Sequence, residues 1–116
     1  KGDAVGAVKS YERAIELNPN FAMAHNNWGQ AKEGLGLGDD ALRGYRRALA
    51  IDPQQPQAWF NLAHLLEVQG ARVESGQSYW KAYELLRAAE DYDENVQYRE
   101  FAARARAAAS RLGVDQ

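Results

Sequence analysis

Two histidines, His25 and His64, are the side chains best suited to proton transfer or metal ligation, because imidazole titrates near neutral pH. They stand 39 residues apart, the chain has no cysteine to complete a ligand set, and no His-x-x-x-His pair places two rings on one helix face. Neither a metal site nor a catalytic base is expected from them. Gly34, Gly36 and Gly38 resemble part of a phosphate-cradling loop, yet no strand precedes them and the lysine of a GxxxxGK[ST] motif is missing. A turn between helices accounts for them. Arg99, Arg104, Arg106 and Arg111 offer guanidiniums to phosphate or to an acidic protein. Glu90, Asp91, Asp93 and Glu94 precede them, however, and acid first, base last, is the order that suits a helix dipole. The dipole reading is preferred, with phosphate contact as the alternative. Asn27, Asn61 and Asn95 form a last group, carboxamides that each carry a donor and an acceptor for the backbone of an extended peptide.

Those asparagines are 34 residues apart, and the same step relates Tyr11, Tyr45 and Tyr79, then Ala14, Ala48 and Ala82, then Gly2, Gly36 and Gly70, and the pair Pro19 and Pro53. A period of this size marks an array whose units are too small to bury their own apolar faces and must stack on their neighbours. Composition is consistent with that. At 116 residues and 46% hydrophobic content the chain supports one domain with one continuous core. A formal charge of -2 gives no basic excess for nucleic acid or an anionic membrane surface, and no apolar run reaches the length of a membrane span. The chain opens on Lys1, and Gly2 and Asp3 already occupy a turn position of the repeat, so an excised fragment is expected, whose leader, if any, is unreadable.

Apolar and small residues within each period follow helical spacing, as in Ala7, Tyr11, Ala14 and Ile15, and again in Ala41, Tyr45, Ala48 and Leu49. The pattern predicts helices over 3–17, 22–35, 39–51, 56–69, 72–89 and 93–112, joined by short antiparallel turns. Asp3 and Asp39 are expected to cap helix starts, and Pro19 and Pro53 to stop helices. No proline follows Ala82 at the matching distance, so that helix is expected to run on. A last helix with the apolar line Tyr98, Phe101, Ala102, Ala105, Ala109 and Leu112 would cover the end of the stack.

These residues resemble the tetratricopeptide repeat (TPR). Residues 22–55 carry the closest match: Trp28 and Gly29 at the Leu-Gly step, Ala41 and Ala48 at the small positions, Tyr45 at the aromatic and Pro53 at the terminator. The next unit supplies Trp59, Leu62, Ala63, Leu66, Tyr79 and Ala82, with Ser75 in place of the alanine and Arg87 in place of the proline. The resemblance implies an all-α fold, the α-α superhelix or TPR solenoid, as a single domain over 1–116. Its expected parts are a second helix of a truncated unit (1–21), full units at 22–55 and 56–89, and a capping helix (90–116).

In that family the first helix of each pair lines a concave groove. Carried over, the partner-binding groove comprises Met23, Asn26, Asn27 and Gln30 in one unit, Gln57, Phe60, Asn61 and His64 in the next, and Asn95 beyond; Glu33 and Glu67 share the same faces. Phe60 is the first candidate for an apolar anchor and Met23 the second. A clamp of paired cations for a terminal carboxylate is not expected, since Gln57 and Asn61 are uncharged. The expected function is protein–protein recognition of an extended peptide or partner helix, with no enzyme activity, cofactor, metal, nucleic acid or membrane. The apolar face of Val5, Val8, Tyr11 and Ile15, read as lacking its first-helix partner, is expected to self-associate. The alternatives are a structural or oligomerisation spacer within a larger protein, and a substrate-holding array of an enzyme whose catalytic domain lies outside this segment.

Overall fold

A computed structural model describes residues 2–114, which form six helices: α1 (Gly2–Leu17), α2 (Ala22–Gly34), α3 (Gly38–Ile51), α4 (Pro56–Val68), α5 (Arg72–Arg87) and α6 (Val96–Arg111). No strand occurs among the described residues. The chain divides into two compact units, Lys1–Pro53 and Gln54–Gln116. In the first, α2 packs on both α1 and α3; in the second, α5 packs on both α4 and α6.

The small residues at the helix crossings act by letting backbones approach. In unit 1 a Cβ added at Gly29 would come within 2.9 Å of the Tyr45 ring, and one at Gly44 within 2.8 Å of the Trp28 ring and 2.9 Å of the His25 carbonyl oxygen. Gly29 of α2 and Gly44 of α3 thus each receive an aromatic ring from the other helix. Ala41, Ala48 and Tyr45 are buried around this contact. In unit 2, Ala58, Leu62, Ala63, Leu65 and Leu66 of α4 are buried, as are Tyr79, Ala82 and Leu86 of α5. Ser75, which replaces the repeat's alanine, is fully buried and donates its hydroxyl hydrogen to the Ala63 carbonyl at 2.7 Å. The polar replacement is tolerated because that bond removes the cost of burying an unpaired hydroxyl.

A tyrosine–glutamate pair recurs at the repeat period. Tyr45 donates to Glu33 Oε1 at 2.6 Å in unit 1, and Tyr79 donates to Glu67 Oε1 at 3.2 Å in unit 2. Each joins the first helix of a pair to the second. Glu33 and Glu67 are therefore engaged with the packing tyrosines.

Several boundary expectations change. Asp39 does not cap α3: Leu37 holds the cap position with no side-chain bond, and Asp39 and Asp40 lie in the first turn, where they favour the helix's positive end. Asp3 likewise sits in the first turn of α1. The helix expected to run to 89 ends at Arg87, and turns bonded Tyr92 N to Ala89 O and Asn95 N to Asp91 O carry the chain to α6. Four carboxylates packed into residues 90–94 repel one another in a continuous helix but suit a turn before a helix start. On α1, Val8 is buried and Tyr11 and Ile15 are half-buried, leaving Val5 as the exposed member of the expected apolar face. That face already rests in part on α2.

Candidate functional site

On α4, residues 57, 60, 61, 64, 67 and 68 occupy one arc at 100° per residue, and the buried Ala58, Leu62, Leu65 and Leu66 occupy the other. On α6, Ala102, Ala105, Ala109 and Leu112 form the buried seam, so Arg104, Ala108 and Arg111 fall on one flank of it. These two arcs enclose a groove of about 770 Å3 within unit 2, with Phe60, His64, Glu67 and Val68 on the α4 wall and Arg104, Ala107, Ala108 and Arg111 on the α6 wall.

Phe60 does not offer a bare anchor. It is half-buried, meets Tyr79 edge-on at 5.1 Å and Phe101 at 4.9 Å, and carries the Arg104 guanidinium 5.3 Å from its ring centroid. A cation over an aromatic face is held by the ring quadrupole. Arg104 makes no ion pair among the described residues, so its charge is available at the groove surface. Arg111 differs. Its Nη1 and Nη2 both donate to the Glu67 carboxylate, the second at 3.3 Å, and together with burial and the Tyr79 hydroxyl this sets the local electrostatics. The Arg111 hydrogen bond, first among the causes, holds the Glu67 carboxyl below its usual range. Burial first, and then the neighbouring Glu67 charge, push the Tyr79 hydroxyl up to about 12. The groove thus contains one compensated arginine, one uncompensated arginine, an exposed imidazole and aliphatic side chains on both walls.

The expected asparagine row does not hold together as a set. Asn61 is half-buried and accepts from Gln57 Nε2 at 3.1 Å, so these neighbours bond along α4. In unit 1, Met23 is 60% exposed and Gln30 exposed, Asn27 is half-buried, and Asn26 is only 6% exposed. Asn26 is therefore not an exposed inner position; it sits at the edge of the α2 face that turns into the packing. Asn95 is a helix cap: its Oδ1 accepts from the Tyr98 amide at 3.0 Å and its Nδ2 donates to Asp91 Oδ2 at 3.4 Å. The row fails at Asn95 because α2 and α4 start 34 residues apart, at 22 and 56, whereas α6 starts at 96 instead of 90. The sequence marked Arg104 and Arg111 as cations, but that shift kept a reading that extended the period from setting them opposite α4.

His25 half-buries its ring and shares a 2.9 Å hydrogen bond with the Pro19 carbonyl. It lines a pocket of about 430 Å3 in unit 1 with Glu12, Ile15, Glu16 and Trp28, where Trp28 Nε1 donates to Glu12 Oε2 at 3.1 Å. No cluster of potential metal ligands occurs among the described residues. None of their helices is long and apolar enough to cross a membrane.

The paired helices, the 34-residue period and the groove geometry define a class of helical-repeat protein, and comparison with known proteins agrees. The pattern of the TPR repeat matches residues 1–36 and 39–70, so the chain belongs to the TPR repeat family. It is 34% identical over 83 residues to the small glutamine-rich tetratricopeptide repeat-containing protein 2 of Mycosarcoma maydis, covering 72% of this chain and 24% of that protein. The chain spans between about a tenth and a quarter of the length of the curated relatives it matches. Among solved structures it is similar to the Yersinia enterocolitica type III secretion chaperone SycD in complex with a peptide of the translocator YopD, with TM-score 0.81, 20% identity, and coverage of 96% of this chain and 80% of that one. It is also similar to the TPR2B domain of yeast Sti1 in a pHsp70 complex, with TM-score 0.78, 21% identity, and coverage of 96% and 86%. At those identities the likeness establishes the fold: all-α, of the TPR helical-repeat kind.

Proposed function

We propose that this chain is a protein-recognition module and that the α4–α6 groove of unit 2 holds an extended segment of a partner protein, bearing an acidic side chain beside small aliphatic ones. The observation that carries the reading is Arg104, a guanidinium stacked on Phe60 at the groove wall with no carboxylate partner among the described residues. Val68, Ala107 and Ala108 supply the apolar surface around it. The SycD structure holds a peptide of the translocator YopD and the Sti1 structure is a pHsp70 complex, which supports recognition as the general role. No catalytic residue belongs to this reading.

Selection of peptides from a random library on the immobilised chain tests it. Acidic-aliphatic sequences should be enriched, and binding should weaken as salt rises. Arg104→Gln should reduce affinity for them by roughly tenfold, about the weight of a charge-assisted hydrogen bond, with helicity unchanged. A library returning no sequences, or sequences without acidic residues, would favour the spacer role instead.

A further inference from the structure

Arg87 stands one period after Pro53 and two after Pro19, and neither the helix pairing nor the groove uses it. Its guanidinium carbon lies 5.2 Å from the Tyr92 ring centroid and 5.9 Å from that of Tyr83, and its Nη1 donates to the Tyr83 hydroxyl oxygen at 3.2 Å. Arg106, from α6, reaches the same Tyr83 ring at 5.5 Å, and Trp80 tilts against that ring at 4.9 Å. Two cations from different helices therefore converge on one tyrosine. Arg106 follows Arg104 by two residues, about 200° around α6, which places it on the opposite flank of the Ala102–Ala105–Ala109 seam from the groove. Neither Arg87 nor Arg106 has an ion-pair partner among the described residues. Two guanidiniums within about 6 Å of one ring, neither with a counter-ion, leave a local positive charge that a bound anion would offset.

We propose that Arg87 and Arg106, gathered on Tyr83 between Trp80 and Tyr92, form a site for a phosphorylated side chain of a protein partner, separate from the groove. A phosphate monoester carries about -1.5 to -2 charge at pH 7 and three acceptor oxygens, which matches two guanidinium forks; one carboxylate would neutralise half of the site. The rings hold both guanidiniums in place, so less side-chain freedom is lost when the anion arrives. A nucleic-acid polyanion is the poorer fit. The exposed carboxylates Glu84, Glu90 and Asp91, close in sequence to Arg87, oppose any anion, and most of all a polyanion whose further phosphates have no guanidinium to meet.

The test is a nuclear magnetic resonance titration of the isotopically labelled whole chain with a Gly-Ala-phosphoserine-Ala-Gly peptide, its unphosphorylated twin, a glutamate twin and a short single-stranded DNA. The phosphopeptide should shift the Arg87 and Arg106 Nε–H signals and the Trp80 indole signal in a saturable way. The unphosphorylated twin should shift none, and the glutamate twin should bind about tenfold more weakly. Arg87→Gln combined with Arg106→Gln should abolish the shifts with the circular dichroism spectrum retained, and the double lysine variant should lose several-fold because a point charge replaces each fork. Arg104→Gln should leave the titration unchanged, which separates this result from the fate of the groove reading. Equal shifts with and without phosphate, phosphopeptide binding undiminished in the glutamine variant, or tighter binding of the DNA would each overturn the proposal.

Discussion

At the scale of single residues the most informative finding is the Tyr45–Glu33 and Tyr79–Glu67 couple repeated one period apart. The tyrosines were legible in the sequence as packing residues, and the 34-residue step from Glu33 to Glu67 was there to be read. The link between them was not, because a surface carboxylate in a groove and one accepting a phenol hydrogen look alike without geometry. Burial, followed by the glutamate, raises the hydroxyl pKa of both tyrosines, that of Tyr79 to about 12. A raised folded-state pKa means stability intact below the unfolded value of 10.0, then lost as pH climbs towards about 12. Tyr79→Phe should therefore cost about 1 to 2 kcal/mol at neutral pH, in line with a hydrogen bond to a partly exposed carboxylate, and should flatten the fall in stability between pH 10 and 12. Urea denaturation across that range checks both. Asn61 and Asn95 carry the opposite lesson: equal spacing identified equivalent positions, but local bonding to Gln57 and to the Tyr98 amide claims their carboxamides.

Helices were the most legible elements. Five of the six begin within one residue of the range the hydrophobic spacing predicted, because a 3.6-residue stripe and a proline or glycine stop are written locally in the chain. The exception, α6, begins three residues late at Val96. Its start depends on the cap that Asn95 supplies and on turns through an acidic stretch that no other period contains. Asn95→Ala should cost about 1 kcal/mol and fray the first turn of α6, seen as faster amide exchange at Tyr98 than at Ala105. Asn95→Ser should restore most of both, since its hydroxyl accepts the same bond without setting a charge against Asp91. Gly29 was marked in the sequence by its place in the repeat pattern, whereas Gly44, which sits where the next period has Ser78, was not, yet both are points of close helix approach. Gly44→Ala should destabilise unit 1 by roughly 1 to 3 kcal/mol through overpacking against Trp28, measurable as a lower melting temperature.

Taken as a whole, the chain is a TPR protein whose two units each keep a buried tyrosine, Tyr45 or Tyr79, at the heart of a helix pair. Stability in repeat arrays is close to a sum of unit and nearest-neighbour contributions, so damage should register first where it is made. Tyr45→Ala, at about 3 to 5 kcal/mol for a buried aromatic, should strip exchange protection from α2 and α3 before α5 and α6. Simultaneous loss in all four helices would mean that the units melt as one. Family membership followed from the sequence because the period is carried by many positions at once. The sites were legible only in part: the arginines of α6 stood out as cations for phosphate or an acidic protein, but which ring each one meets, and that Arg87 of α5 joins Arg106, required the structure. Helix α6 presents guanidiniums on both sides of a narrow alanine seam, one over Phe60 and one over Tyr83. Were both proposed sites occupied, one helix would form a wall of each, and a ligand that steadied it from one side would change the affinity at the other by the same factor in either direction.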